Sequence, residues 1–213
     1  MSLVLYLVRH GQTDCSLHNR MCGAGIDAPL NAAGERMAEA LATAFAPLPW
    51  RAIYSSPLLR ARQTAEPLAR KKGLSVEVLD GLKEIAYGTW DGRLEDEVAR
   101  DEPEAWANWQ RDPGSFAPPG GENAHALAAR VLPAIATIRA RHTDGLVIAF
   151  AHKAVIRIVV CALLGIDVGL FRRRVDCKTG AATIVEFRPD GPLLHALNDV
   201  SHLPPELREA GGT

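Results

Sequence analysis

The chain has 213 residues, 47% hydrophobic and 23% charged, with a formal net charge of −1. That length fits one domain, or one domain carrying an insertion, and that composition buries a real core. Acids and bases are interspersed, so neither nucleic acid nor an anionic membrane is an expected partner.

Residues 3–8 are almost wholly apolar, as in a strand covered on both faces. The run is far too short for a membrane span and lacks the basic region and cleavage site of a leader, so the expected location is cytoplasmic. Cys15, Cys22, Cys161 and Cys177 contain no C-x-x-C pair and are expected as reduced thiols. Cys15, His18 and Cys22 sit close in sequence, but no second pair follows at zinc-site spacing, so no metal is expected. Asn31 predicts a cap for a helix over 32–46, where Met37, Leu41 and Phe45 recur every four residues. A short strand over 52–54 runs into Ser56, read as an N-cap, and Pro57, read as the first residue of a helix reaching about Lys72 and ending at Gly73. Residues 76–79 read as a third strand.

Residues 84–120 change character: they hold Trp90, Trp106 and Trp109, several acids and the Pro/Gly run at 118–121. This stretch reads as a partly helical cap inserted into a single domain spanning 1–213. A long helix is expected over 123–142, kinked at Pro133. A buried strand over 146–150 leads to His152 and a helix to about Leu164, ended by Gly165. Strands at 182–188 and 193–197 form a hairpin around Pro189-Asp190-Gly191. Alternating strands and helices imply an α/β fold: a mostly parallel sheet, helices on both faces, and an antiparallel edge from the hairpin.

In open α/β sheets, function gathers where strands reach their carboxyl ends. Three such junctions here carry unusual polar residues: Arg9-His10-Gly11 after the first strand, Arg60 on the helix after the second, and His152-Lys153 after strand 146–150. Taken singly, each has a structural explanation. Arg60 can be a solvated residue paired with Glu66, and His152 can cap the next helix. Together, two histidines and two arginines suit a phosphoryl group, because guanidinium forks match phosphate oxygens and helix N-termini add positive charge.

These residues fall in a longer pattern. Residues 5–13, continued by Arg20, Gly23 and Pro29-Leu30, residues 55–65, residues 82–92, Pro119-Gly120-Gly121-Glu122 and Ala151-His152 follow one another in order. The chain thereby resembles the histidine phosphatase superfamily, in the branch shared by cofactor-dependent phosphoglycerate mutases and small-molecule phosphatases. The resemblance implies that His10 takes the phosphoryl group. It implies that Arg9, Arg60 and His152 hold phosphate oxygens, and that Glu84 is the acid on the leaving oxygen and then the base for water. No cofactor and no metal is implied, since arginines take the place of the Mg²⁺ used at many phosphoryl-transfer sites. Gly11, Ser16, Cys22, Gly23, Lys153 and His202 are the further candidates for phosphate or substrate binding. The chain departs from the family pattern at Cys15 and Ser16, where tryptophan and asparagine are common, at Cys22, which replaces a glutamine, and at Lys153-Ala154.

The implied activity is hydrolysis of small phosphomonoesters by a phosphohistidine route. A phosphoglycerate mutase-type phosphotransferase and an inactive relative that binds phosphorylated ligands remain the alternatives. The closing Leu197-Asn198-Asp199-Val200-Ser201-His202-Leu203 is similar to the phosphatase branch. The expected partner is a small phosphorylated metabolite, and a homodimer is left open. Trp90, Trp106 and Trp109, with Lys153 and His202, are the expected readers of the substrate's non-phosphate end; Arg172–Arg174 read as a solvated run.

Overall fold

Side chains along the central strands alternate between two cores. In strand β1 (Leu3–Arg9), Leu3, Leu5 and Leu7 enter the larger core, while Val8 enters the smaller one. In β4 (Gly145–Ala151), Val147, Ala149 and Ala151 join the first core and Ile148 and Phe150 the second. Successive residues of a strand point to opposite faces, so the two cores lie on opposite sides of one sheet. Helices α2 (Ala32–Phe45) and α3 (Leu59–Lys72) supply Leu41, Ala61, Ala65 and Leu68 to the smaller core. On the other face, α6 (Ala124–Arg141) and α7 (Lys153–Leu163) supply Leu127, Val131, Ile135, Val155 and Ile158. These positions come from a computed structural model, which describes residues 2–208. Met1 and residues 209–213 of the expected 1–213 domain lie outside the described residues.

The sheet has six strands in the order β3-β2-β4-β1-β5-β6, with β2 (Trp50–Ser55), β3 (Val76–Val78), β5 (Ala182–Arg188) and β6 (Gly191–Asp199) completing it. β3, β2, β4 and β1 pair in parallel, whereas β5 and β6 are antiparallel additions beside β1. This is the mostly parallel α/β sheet with an antiparallel edge that the sequence predicts. Asn31 caps α2 as its position suggests and Asn123 caps α6, each side chain accepting from a backbone N–H three residues on.

One local expectation needs correction. Helix α3 starts at Leu59, so Ser56 is not its N-cap and Pro57 is not its first residue. Ser56 N–H still bonds Phe150 O in sheet fashion, and the N–H of Leu59 donates to Asp27 Oδ1 at 2.6 Å. A residue far away in sequence therefore supplies the cap. Helix α6 runs unbroken through Pro133, and α3 likewise contains Pro67.

Within residues 84–120, a 3-10 turn over Gly88–Trp90 precedes the short helices α4 (Glu95–Asp101) and α5 (Pro103–Arg111). Trp90 and Trp109 are fully buried in the larger core, and Trp90 Nε1 donates to Glu102 Oε2 at 2.9 Å. Their rings pack the core of the fold. Short helices also lie at α1 (Asp14–Leu17), α8 (Phe171–Arg174) and α9 (Pro205–Arg208). Among the described residues no helix is long and apolar enough to cross a membrane.

Candidate active site

His10 follows β1 directly and is stitched between neighbouring segments. Its N–H donates to Ala151 O and its carbonyl accepts from Gly180 N–H, each at 3.1 Å. The ring is 5% exposed, and its Nδ1 lies 2.8 Å from Gly11 O. A carbonyl oxygen only accepts, so Nδ1 carries the proton and Nε2 keeps its lone pair. Burial first, then the Arg60 and Arg9 guanidinium groups, hold the His10 pKa well below the usual histidine value. The ring is therefore neutral at pH 7, with a defined tautomer. Gly11 serves this arrangement as backbone: a Cβ there would sit 2.6 Å from Gly34 O, and its N–H donates to Thr64 Oγ1 at 3.0 Å.

β1 and β4 are neighbours, which brings His152 beside His10 with ring centroids 5.2 Å apart. His152 is fully buried, Nε2 lies 2.6 Å from Ser56 Oγ, and Nδ1 has no protein partner. It occupies the N-cap position of α7 without a side-chain cap bond, so capping does not explain it. Burial, followed by Arg60, His10 and Arg9, lowers its pKa well below the ordinary value.

Arg60 is buried outright and makes no ion pair with Glu66; its guanidinium donates to the carbonyls of Ile26, Cys22 and Gly23 at 2.8, 3.1 and 3.3 Å. The same loop is held from the other side by Asp91, which accepts from Gly23 N–H at 2.8 Å and Gly25 N–H at 3.1 Å. Gly23 is required there, since a Cβ would lie 2.5 Å from Asp91 Oδ1 and would also collide with Ile85 O. Arg9 reaches toward the β5 side, donating to Cys177 O at 2.7 Å.

Glu84 is 5% exposed and accepts from Ile85 N–H at 2.9 Å and Ala154 N–H at 3.3 Å. Its backbone is braced by Arg130 of α6, which donates to Gly81 O at 3.2 Å and to Lys83 O and Glu84 O at 2.7 Å each. Arg130 is in turn clamped by Glu122 through two bonds of 2.7 and 2.8 Å, and Glu122 also accepts from Ala86 N–H at 2.9 Å.

A cavity of about 60 Å³ opens over His10, with Arg9, Ser16, Cys22, Glu84 and Lys153 among its walls. Of the remaining expected residues, Arg60 and His152 are fully buried and are not among its lining residues, and Gly11 and Gly23 serve through their backbone. His202 lies elsewhere: its Nε2 bonds Gly180 O at 3.0 Å and its ring packs on Phe45 at 5.0 Å. The Ser16 hydroxyl belongs to a capping box with Thr13, accepting from Thr13 N–H at 2.9 Å. Burial pushes the Cys22 thiol up to about 12, so it stays protonated. Cys15, His18 and Cys22 do not form a metal-binding group, nor do any other three His, Cys, Asp or Glu side chains among the described residues.

Sequence patterns alone do not reveal the Glu122–Arg130 brace, although Glu122 closes the Pro119-Gly120-Gly121-Glu122 motif. They also make Arg172 look solvated. The structure places Arg172 on the wall of the cleft beyond the cavity, while Arg173 bonds Gln110 O at 2.7 Å.

A neutral imidazole lone pair beside guanidinium groups, at the carboxyl edge of a parallel sheet in an α/β protein, is an arrangement suited to a phosphoryl group. Comparison with known proteins takes the assignment further. Residues 5–200 match the histidine phosphatase superfamily (branch 1), and the chain belongs to that family. It is 31% identical to phosphoserine phosphatase 1 of Hydrogenobacter thermophilus over 199 residues, covering 93% of both chains. It is 34% identical over 172 residues to a glucosyl-3-phosphoglycerate phosphatase of Mycobacterium tuberculosis, covering 77% of this chain and 76% of that one. Among solved structures, YhfR of Bacillus stearothermophilus superimposes with a TM-score of 0.88 at 28% identity, over 95% of this chain and all of the other. The mycobacterial glucosyl-3-phosphoglycerate phosphatase in complex with inorganic phosphate gives 0.83 at 29% identity, over 94% and 99% of the two chains.

Proposed function

We propose that this chain is a metal-independent phosphatase of small phosphomonoesters that works through a phosphohistidine on His10. The observation that carries the reading is the lone pair on His10 Nε2, left by the bond from Nδ1 to Gly11 O and kept unprotonated by burial and two arginines. In this reading Nε2 attacks phosphorus, the P–O bond to the alcohol breaks, and the leaving oxygen takes a proton from Glu84. Glu84 then accepts a proton from the water that attacks phosphorus, the P–N bond breaks, and inorganic phosphate leaves with His10 restored. Arg9, Arg60 and His152, whose Nδ1 has no protein partner, receive the phosphoryl oxygens. Residues 84–120 act as the cap of the single domain, carrying Glu84 at its edge.

The relatives named above support hydrolysis, and the substrate of this chain is assigned only as a phosphomonoester. The test is p-nitrophenyl phosphate hydrolysis in EDTA, together with brief mixing with labelled substrate and an alkaline quench. Acid-labile, base-stable label should appear on the chain and vanish in His10→Ala. Label that persists in that variant overturns the assignment of His10. Isomerisation of 3-phosphoglycerate faster than phosphate release, with 2,3-bisphosphoglycerate present, would make the enzyme a mutase instead.

A further inference from the structure

The cleft does not end at the phosphoryl cavity. Asn19, Glu95 and Lys153 belong both to its wall and to the wall of an adjoining chamber of about 430 Å³. That volume falls within the range of small-molecule sites, which run from roughly 300 to 1,000 Å³. The chamber is walled by Lys153 and Arg157 of α7, Arg172 of α8, Glu95 and Asp96 of α4, and His18. The two signs of charge thus come from different helices, with the cations gathered on α7 and α8.

These cations are poorly neutralised. Lys153 and Arg157 stand four residues apart on α7, a spacing that puts like charges on one face and disfavours the helix. Arg157 Nε is buried without a partner, and its remaining ion pair, to Asp176 at 3.3 Å, is with a side chain 67% exposed to water. Arg172 lies over the rings of Trp109 and Trp106, at 5.6 and 6.0 Å, and pairs with no carboxylate among the described residues. Lys153 also lacks an ion pair among them. Burial, and then the Arg9 and Arg157 charges, bring its pKa down to about 7 against the opposing influence of Cys177 and Glu95. Two arginines and a lysine thus face one chamber beside a phosphate site, opposite the carboxylates of Glu95 and Asp96, and neither arginine is paired with a buried carboxylate among the described residues.

We propose that this chamber is the leaving-group subsite and that it selects phosphomonoesters whose alcohol carries a second anionic group, a carboxylate or a further phosphate, received by Lys153, Arg157 and Arg172. Lys153 stands at the junction of the two spaces, so it touches the substrate between its two anionic ends. The inference rests on the phosphatase reading, since it concerns the alcohol that hydrolysis releases.

The test compares two matched pairs of esters: phosphorylated hydroxypropanoate against its amide, and propanediol bisphosphate against the monophosphate. The first pair isolates a carboxylate and the second a phosphate. Wild-type kcat/KM should favour the anionic member of at least one pair by about tenfold or more, as charge-assisted bonds allow. Arg172→Ala and Arg157→Ala should each cut that ratio by about tenfold, chiefly through KM, and Arg172→Lys should keep part of it. A ratio near one in the wild type overturns the inference, as does a ratio untouched by both alanine variants. Hydrolysis of p-nitrophenyl phosphate separates the failures. If it proceeds while the ratios stay flat, the subsite alone falls; if no ester turns over, the phosphatase reading falls and the subsite with it.

Discussion

Replacing Arg130 with methionine, which keeps bulk and removes the charge, tests whether Glu84 acts from a fixed position. Arg130 donates to Gly81 O, Lys83 O and Glu84 O and is clamped twice by Glu122, with the two side chains only 27% and 23% exposed. Hydrogen bonds to charged groups contribute about 1.5–3 kcal/mol each, and breaking a buried pair costs about 3–5 kcal/mol. Partial solvent access and the loss of several coupled bonds at once argue for the lower part of that scale, about 2–4 kcal/mol. For a chain of this length that lowers Tm by roughly 5–15 °C. The same loss frees the segment that carries Glu84, and misplacing a reacting group by about 1 Å costs about 10²-fold. Turnover of an alkyl phosphate, whose leaving oxygen needs a proton, should therefore fall by about 10–100-fold below the melting point. Turnover of p-nitrophenyl phosphate, whose leaving group needs none, should change far less. Arg130→Lys keeps the charge without the planar fork and should fall between. Equal losses on both esters, or no loss on the alkyl ester, would refute the idea that the brace serves the acid.

Glu84→Gln should itself cost about 10²–10⁴ in kcat on alkyl phosphates and clearly less on p-nitrophenyl phosphate, and an equal loss would remove Glu84 from the role of acid. The buried histidines predict a pH effect on stability. His10 and His152 both have folded pKa values well below their unfolded value of about 6.5, so the unfolded chain binds more protons as pH falls through that value. Stability should be unaffected by these groups above it and should drop below it, giving a lower Tm at pH 5 than at pH 7, and His10→Gln should flatten that drop. A Tm that rises on acidification would contradict the neutral pair.

What was legible in the sequence was whatever depends on neighbours along the chain. The strands of the central sheet, the Asn31 cap and the hairpin at 189–191 are local matters of periodicity and turn chemistry. The junction residues Arg9, His10, Arg60 and His152 were also visible, because a polar group after an apolar strand is conspicuous, and a run of motifs in order pointed to Glu84. Tertiary structure decided the rest, through contacts that sequence spacing does not encode. Ser56 looked like a cap, yet its hydroxyl meets His152, just past the end of a neighbouring strand, and Asp27 takes over the cap of α3. Trp90 and Trp109 looked like substrate readers, yet burying their large apolar surface in the core is the more favourable use of them. His202 stands near the end of the chain, where its ring is taken up by Phe45 and Gly180 and not by the cavity. Arg172 looked solvated within a basic run, but a helix turns each successive side chain to a different direction, and only the packing of α8 against α7 decides which one meets the cleft. The His10 tautomer belongs to this second group as well. The sequence supplies an imidazole, and only a carbonyl 2.8 Å from Nδ1 determines which nitrogen keeps its lone pair.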